Sequence, residues 1–128
     1  MISPTNLMLD LVELLHTPLA GRVGIKDPTE EQRLDLYAQV YGLPGQRDRT
    51  ETRPEFDVSI YGPLFSLVEY AALALESELV RYPHRVSSGG RSVVIDRVTV
   101  TASTTELPWP VDSRVTRFNG TYSLVYRG

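Results

Sequence analysis

The sequence predicts an α+β fold: a two-layer sandwich of two main helices packed on a mainly antiparallel sheet, in a single domain spanning residues 1–128. Three observations carry this expectation. Two stretches, Leu7–Leu15 and Leu64–Leu79, repeat apolar residues at three- and four-residue spacing, the period of a helix with one buried side. Other stretches alternate apolar and polar residues, the period of a half-buried strand. A chain of 128 residues, 41% of them hydrophobic, suits one domain with a sizeable core.

The first helix opens at Ser3, a cap residue, with Pro4 where its missing N–H costs nothing. Leu7, Met8, Leu11, Val12, Leu14 and Leu15 supply its apolar positions, and Thr17-Pro18 stops it. Gly21 and Gly24 suggest turns, and Asp27-Pro28-Thr29-Glu30 has the form of a capping box before a short helical turn. Leu34–Gly42 fits a strand with an aromatic outer face or a continued helix, the strand somewhat better. Leu43–Pro54 reads as a polar loop. Phe56, Val58 and Ile60 alternate with Asp57, Ser59 and Tyr61, a strand with one buried face.

Gly62-Pro63 opens the longest helix, which runs to about Arg81 and ends at Tyr82-Pro83. Its core stripe is Leu64, Leu67, Val68, Ala71, Leu75 and Leu79. Ser87–Arg91 is a flexible turn, with Gly89-Gly90 suited to a hairpin. Ser92–Ala102 is rich in strand formers, but its apolar phase slips at Asp96-Arg97, which a bulge or two-sided burial explains. Leu107–Val111 is a rigid apolar connection. Val115–Phe118, Asn119-Gly120 and Thr121–Arg127 read as strand, tight turn, strand. The expected buried set includes Leu11, Leu15, Phe56, Val58, Ile60, Val68, Ala71, Leu75, Val98, Val100 and Leu124.

Composition narrows the function classes. There is no cysteine, which excludes disulfides, thiol nucleophiles, iron–sulfur clusters and cysteine-ligated zinc. No apolar run approaches the ~18 residues of a membrane span. The start, Met1-Ile2-Ser3-Pro4, lacks the basic residues of a signal peptide, so the expectation is a soluble protein made in a cytoplasm. The net charge of −3 hides an asymmetry: residues 1–80 carry 6 basic and 13 acidic side chains, residues 81–128 carry 7 and 3. Ends of opposite sign suit head-to-tail association.

Tests for chemistry find little. His16 ends a helix, where a cation favours the dipole, and His84 reads as an exposed loop residue with no committed nucleophile. Gly89-Gly90-Arg91-Ser92 lacks the Gly-Lys-Ser/Thr ending of a phosphate loop, and a strand follows it. The carboxylates have no metal-cluster or calcium-loop spacing. The sequence therefore predicts no enzyme and no cofactor. Arg81, Arg85, Arg91 and Arg97, with Tyr82 and His84 among them, form the most basic stretch and could contact phosphates. Trp109, the one tryptophan, is held between Pro108 and Pro110, a rigid presentation that suits a binding anchor or a fold over the core edge.

In this order the elements resemble the tail terminator (tail completion, minor tail) proteins of long-tailed bacteriophages. The likeness covers almost the whole chain: the opening helix, Tyr41-Gly42-Leu43-Pro44-Gly45 closing a strand, and Pro54–Gly62 directly before a helix. It also includes the Pro-rich turn Leu107–Val111 and the closing Arg117-Phe118-Asn119-Gly120-Thr121-Tyr122 segment. These are turn and strand patterns, not catalytic signatures, and Asp27–Gln32 departs from the family pattern. The resemblance implies a structural virion protein: a hexameric ring that caps the tail tube, ends its polymerisation and offers the head-docking surface. It implies as partners other copies of the chain, the major tail tube protein and a head-completion or neck protein. DNA would pass through the lumen without specific binding, and no membrane is involved. The implied location is the head-proximal end of the tail, after synthesis in the bacterial host's cytoplasm. A ring needs complementary surfaces on one chain. The expected pairing sets Arg85, Arg91, Arg114 and Arg117 against Asp57, Glu69 and Glu76 of a neighbour, with Trp109 as apolar anchor. The alternative is a small nucleic-acid-binding module using the Arg81–Arg97 stretch.

Overall fold

The structure, a computed structural model, describes residues 3–15, 17–47, 52–81 and 83–127, with backbone alone at 44–47 and 52. The expectations placed on His16, Tyr82 and loop residues 48–51 lie outside the described residues. Among the described residues three helices are present: α1 (Pro4–Leu14), α2 (Glu30–Arg33) and α3 (Phe65–Leu79). The strands are β1 (Val23–Gly24), β2 (Tyr37–Arg47), β3 (Thr52–Gly62), β4 (His84–Ser88), β5 (Arg91–Glu106) and β6 (Thr116–Arg127). They form one six-stranded sheet in the order β1-β2-β3-β6-β5-β4, antiparallel except for the short parallel β1–β2 contact.

This corrects the expected fold class. Strand is the dominant element, at 46%, in a sheet curled into a half-barrel with short helices, not two main helices packed on a sheet as a sandwich. The physical reason is strand length. β2 and β3 continue through most of the expected loop Leu43–Pro54, with a register shift between Leu43 and Gln46 absorbing Pro44 and Gly45. β4 was not expected at all, and places His84 in an edge strand, its Nε2 2.9 Å from the Leu79 carbonyl oxygen. Asn119-Gly120 is no turn either: β6 runs straight through it, and the Asn119 amide donates to Ser59 Oγ at 2.9 Å. Leu34–Gly42 resolves into the end of a helical turn followed by β2.

Local chemistry explains the elements read correctly. Ser3 accepts from the Asn6 N–H, with Pro4 in the first turn of α1. Thr29 and Gln32 form a reciprocal capping box on α2. Gly89 and Gly90 both have positive φ, +58° and +77°, in the two-residue turn between Ser88 and Arg91, which closes the β4–β5 hairpin. The phase slip at Asp96-Arg97 is a register shift between Ile95 and Arg97 against β6.

The helices fill the open side of the half-barrel. α1 touches β4 at one edge of the sheet and β1 and β2 at the other, with Leu7, Met8, Leu11 and Val12 fully buried. α3 lies over β3, β6 and β5 and buries Val68, Ala71, Ala72, Leu75 and Leu79. The expected buried set is buried except Val100, which packs half-exposed against the core. Leu64, expected in the core stripe, instead precedes the helix and is 62% exposed.

Leu75 is fully enclosed, so Leu75→Asp will bury an unpaired charge and prevent folding. Leu11→Ala will leave a cavity under α1 and cost about 3 kcal/mol in urea unfolding. A cooperatively melting Leu75→Asp protein would show that the helix face is wrongly assigned.

Candidate subunit interface

α3 is tied to the sheet through one carboxylate. Glu76 Oε1 accepts from the Thr104 N–H at 2.8 Å and the Tyr122 hydroxyl at 2.9 Å, and Oε2 accepts from Ser103 Oγ at 2.6 Å. Ser103 and Thr104 sit where the β5–β6 register shifts, between Ala102 and Thr105. The Thr104 N–H is taken by the helix, so this donor does not go unpaired. Tyr122 reaches Glu76 because Gly120, two residues earlier on the same face, leaves room for the ring; a Cβ there would run into it. Burial, then the Glu76 charge and hydrogen bond, hold the Tyr122 hydroxyl far above the usual phenol range.

A second cluster closes the far end of the sheet. Trp109 is half-buried, its ring edge-on to Tyr61 at 5.5 Å between centroids. The Arg33 and Arg117 guanidiniums lie 5.5 and 5.0 Å from the indole centroid. Arg117 Nη2 also donates to the Pro108 carbonyl at 3.0 Å, and Arg33 Nη1 donates to the Pro28 carbonyl at 2.6 Å. Arg114 pairs with Asp112 and with Glu30, each at 2.8 Å. Hydrogen bonds from Arg114 pull the Asp112 carboxyl down to about 2, and the same partners raise the guanidinium.

The structure therefore sorts the eight expected interface residues. Glu76 and Asp57, which accepts from Thr121 Oγ1 at 2.6 Å, spend their carboxylates within the chain. Arg114, Arg117 and Trp109 knit the β5–β6 connection to α2 and β3. Glu69 is half-buried, and Arg85 and Arg91 are exposed; none of the three side chains has a hydrogen bond or ion pair among the described residues. Arg97, exposed on β5, is in the same condition.

Sequence reasoning missed an apolar stripe. Ser66, Tyr70, Leu73, Ser77 and Val80 follow one another at four, three, four and three residues on and just beyond α3, and all are exposed. Tyr70 and Leu73 are 65% and 52% exposed. The signal was present: α3 is apolar on nearly every side, and the core stripe accounts for only one.

Among the described residues no three His, Asp or Glu side chains come together as a metal site, and no helix is long and apolar enough to cross a membrane. The groove lined by Thr29, Glu30, Glu31, Leu34 and Asp35 is open, and two of its acids are ion-paired. The chain matches no protein-family model and no curated protein.

Two outcomes follow from these clusters. Tyr122→Phe removes a hydrogen bond to a charged acceptor and will lower the unfolding free energy by about 2 kcal/mol; an unchanged urea midpoint would mean that the contact does not hold α3. The Asp112 carboxyl will titrate near pH 2 by NMR. Its folded value lies below its unfolded one, so the stabilisation is complete above the ordinary carboxylate range and disappears as pH falls through about 2. Arg114→Ala will return the midpoint to about 4.

Proposed function

We propose that this chain is a structural virion protein that associates head to tail into a ring. On the strength of the resemblance, the ring caps the tail tube of a long-tailed bacteriophage, ends tube polymerisation and presents the head-docking surface. One observation supports the head-to-tail part. The strand order gathers β6, β5 and β4 into one half of the sheet, where Arg85, Arg91, Arg97, Arg117 and Arg127 outnumber Asp96 and Glu106, while seven of the thirteen acids of residues 1–80 lie on the three helices. One half of the sheet is thus net basic, and most of the acids of residues 1–80 are carried on the helices. Such a molecule favours contact between unlike sides of neighbouring copies. In this reading the partners are further copies, the tail tube protein and a neck protein, and DNA passes through the lumen without specific contacts.

A nucleic-acid-binding module is the second reading, and the unpaired Arg85, Arg91 and Arg97 favour it. Two neighbouring cations are already committed: Arg81 to Glu78 and Arg127 to Asp96.

Removal of this protein from the phage that encodes it will yield overlong tails without heads, seen by electron microscopy, and supply in trans will restore normal particles. Normal virions without the protein would refute the ring reading. Binding to duplex DNA with a log–log salt slope of about −3, reduced by Arg85→Ala and Arg91→Ala, would establish the second reading instead.

A further inference from the structure

We propose that the outward stripe of α3 seats on a patch around Val94 and Val125 on the outer face of the sheet in a second copy of this chain. The choice of a second copy as occupant rests on the ring reading. The stripe presents Tyr70, Leu73 and Val80 to solvent, with small Ser66 and Ser77 between them, which lets a facing surface come close. Scattered exposed apolar residues are ordinary, but a stripe in helical register opposite a helix's buried face is the mark of a covered surface. Glu69 lies at its rim, with no partner of its own.

The receiving patch has the complementary chemistry. Val93 and Ile95 point into the core, so Val94 between them points outward, paired across β5 with Arg127 on one side and Arg85 on the other. After the register shift, Arg97 pairs with Val125 on the same outer face. Two half-exposed valines thus sit beside three arginines, of which Arg127 is paired with Asp96, while Arg85 and Arg97 have no acid of their own chain to satisfy them among the described residues. An apolar centre with one uncommitted acid, Glu69, at its edge meets an apolar centre edged by the uncommitted Arg85 and Arg97.

The two surfaces lie on different sides of the molecule, one beyond the helix that fills the half-barrel, the other on the sheet's outside. Pairing the arginine patch with itself would set like charges together. The contact is therefore heterologous: each copy offers its stripe to one neighbour and its patch to another. Glu76 and Asp57, expected at this boundary from sequence, have no part in it.

Sedimentation of the full chain up to about 1 mM tests this directly. Self-association is expected at about 50 mM NaCl, weakened about tenfold at about 500 mM. Leu73→Lys and Arg97→Glu, both at exposed positions, should each weaken it at least about tenfold with unchanged melting. Mixing the two variants should give dimers and nothing larger, since the Arg97→Glu copy keeps an intact stripe and the Leu73→Lys copy an intact patch. A wild-type chain monomeric at about 1 mM overturns the proposal, as do variants that associate like wild type or a mixture that stays monomeric. Variants associating like wild type would remove this interface and leave the ring reading standing. Normal virions without the protein would remove the ring reading whatever sedimentation shows.

Discussion

A sheet that curls without closing leaves an apolar trough with two open edges, and covering that trough is the constraint on which the rest of this fold depends. α1 does it by reaching both edges at once, β4 on one side and β1 and β2 on the other. Four side chains on α1, Leu7, Met8, Leu11 and Val12, are wholly removed from water for this purpose. Complete burial of each is worth about 1.5–3 kcal/mol. The two-residue β1 makes sense in this light: it is a short ledge beside β2 rather than a full strand.

α3 meets the same constraint differently. It lies over the middle of the sheet, where small Ala71 and Ala72 permit close approach, and Glu76 locks its far half to β5 and β6. A carboxylate among three donors is well satisfied. Its donors come from a strand irregularity and from a tyrosine that a glycine makes room for. Helix, irregularity and Gly120 form one coupled unit.

Much of this was legible in the sequence, and what was missed has physical causes. Period and capping identified α1, α3 and the buried face of β3, because burial imposes a period that side chains must obey; on β5 the slip in phase left Val100 wrongly expected in the core. Strand ends were misjudged at some of the Gly and Pro residues read as punctuation, though not at Gly62 or Gly89-Gly90. Pro44, Gly45 and Gly120 lie within strands because register shifts and ring packing absorb them. The fold class failed for the same reason: strands cut short make the helices look dominant. At the candidate interface, charge sign was legible but commitment was not. Nothing local to Glu76 announces Thr104 and Tyr122, which lie 28 and 46 residues away. Arg85 and Arg97 were recognisable as cations, but only the ladder shows that they share the outer face with valines.

The strand order has one more consequence. Apart from the parallel β1–β2 contact, each half of the sheet is built from antiparallel pairs between consecutive strands, and the ladders of the two halves join along β3 and β6, through pairs such as Ser59 with Asn119 and Phe56 with Tyr122. Hairpins close early because little chain entropy is lost; a ladder between strands about 60 residues apart closes late. The seam is therefore the slow step of folding. Until it zips, the exposed borders of β3 and β6 are equally good templates for the matching border of another molecule. At high concentration this favours exchange of halves at this seam. Cooperative closure over α1 and α3 is what returns each chain to itself.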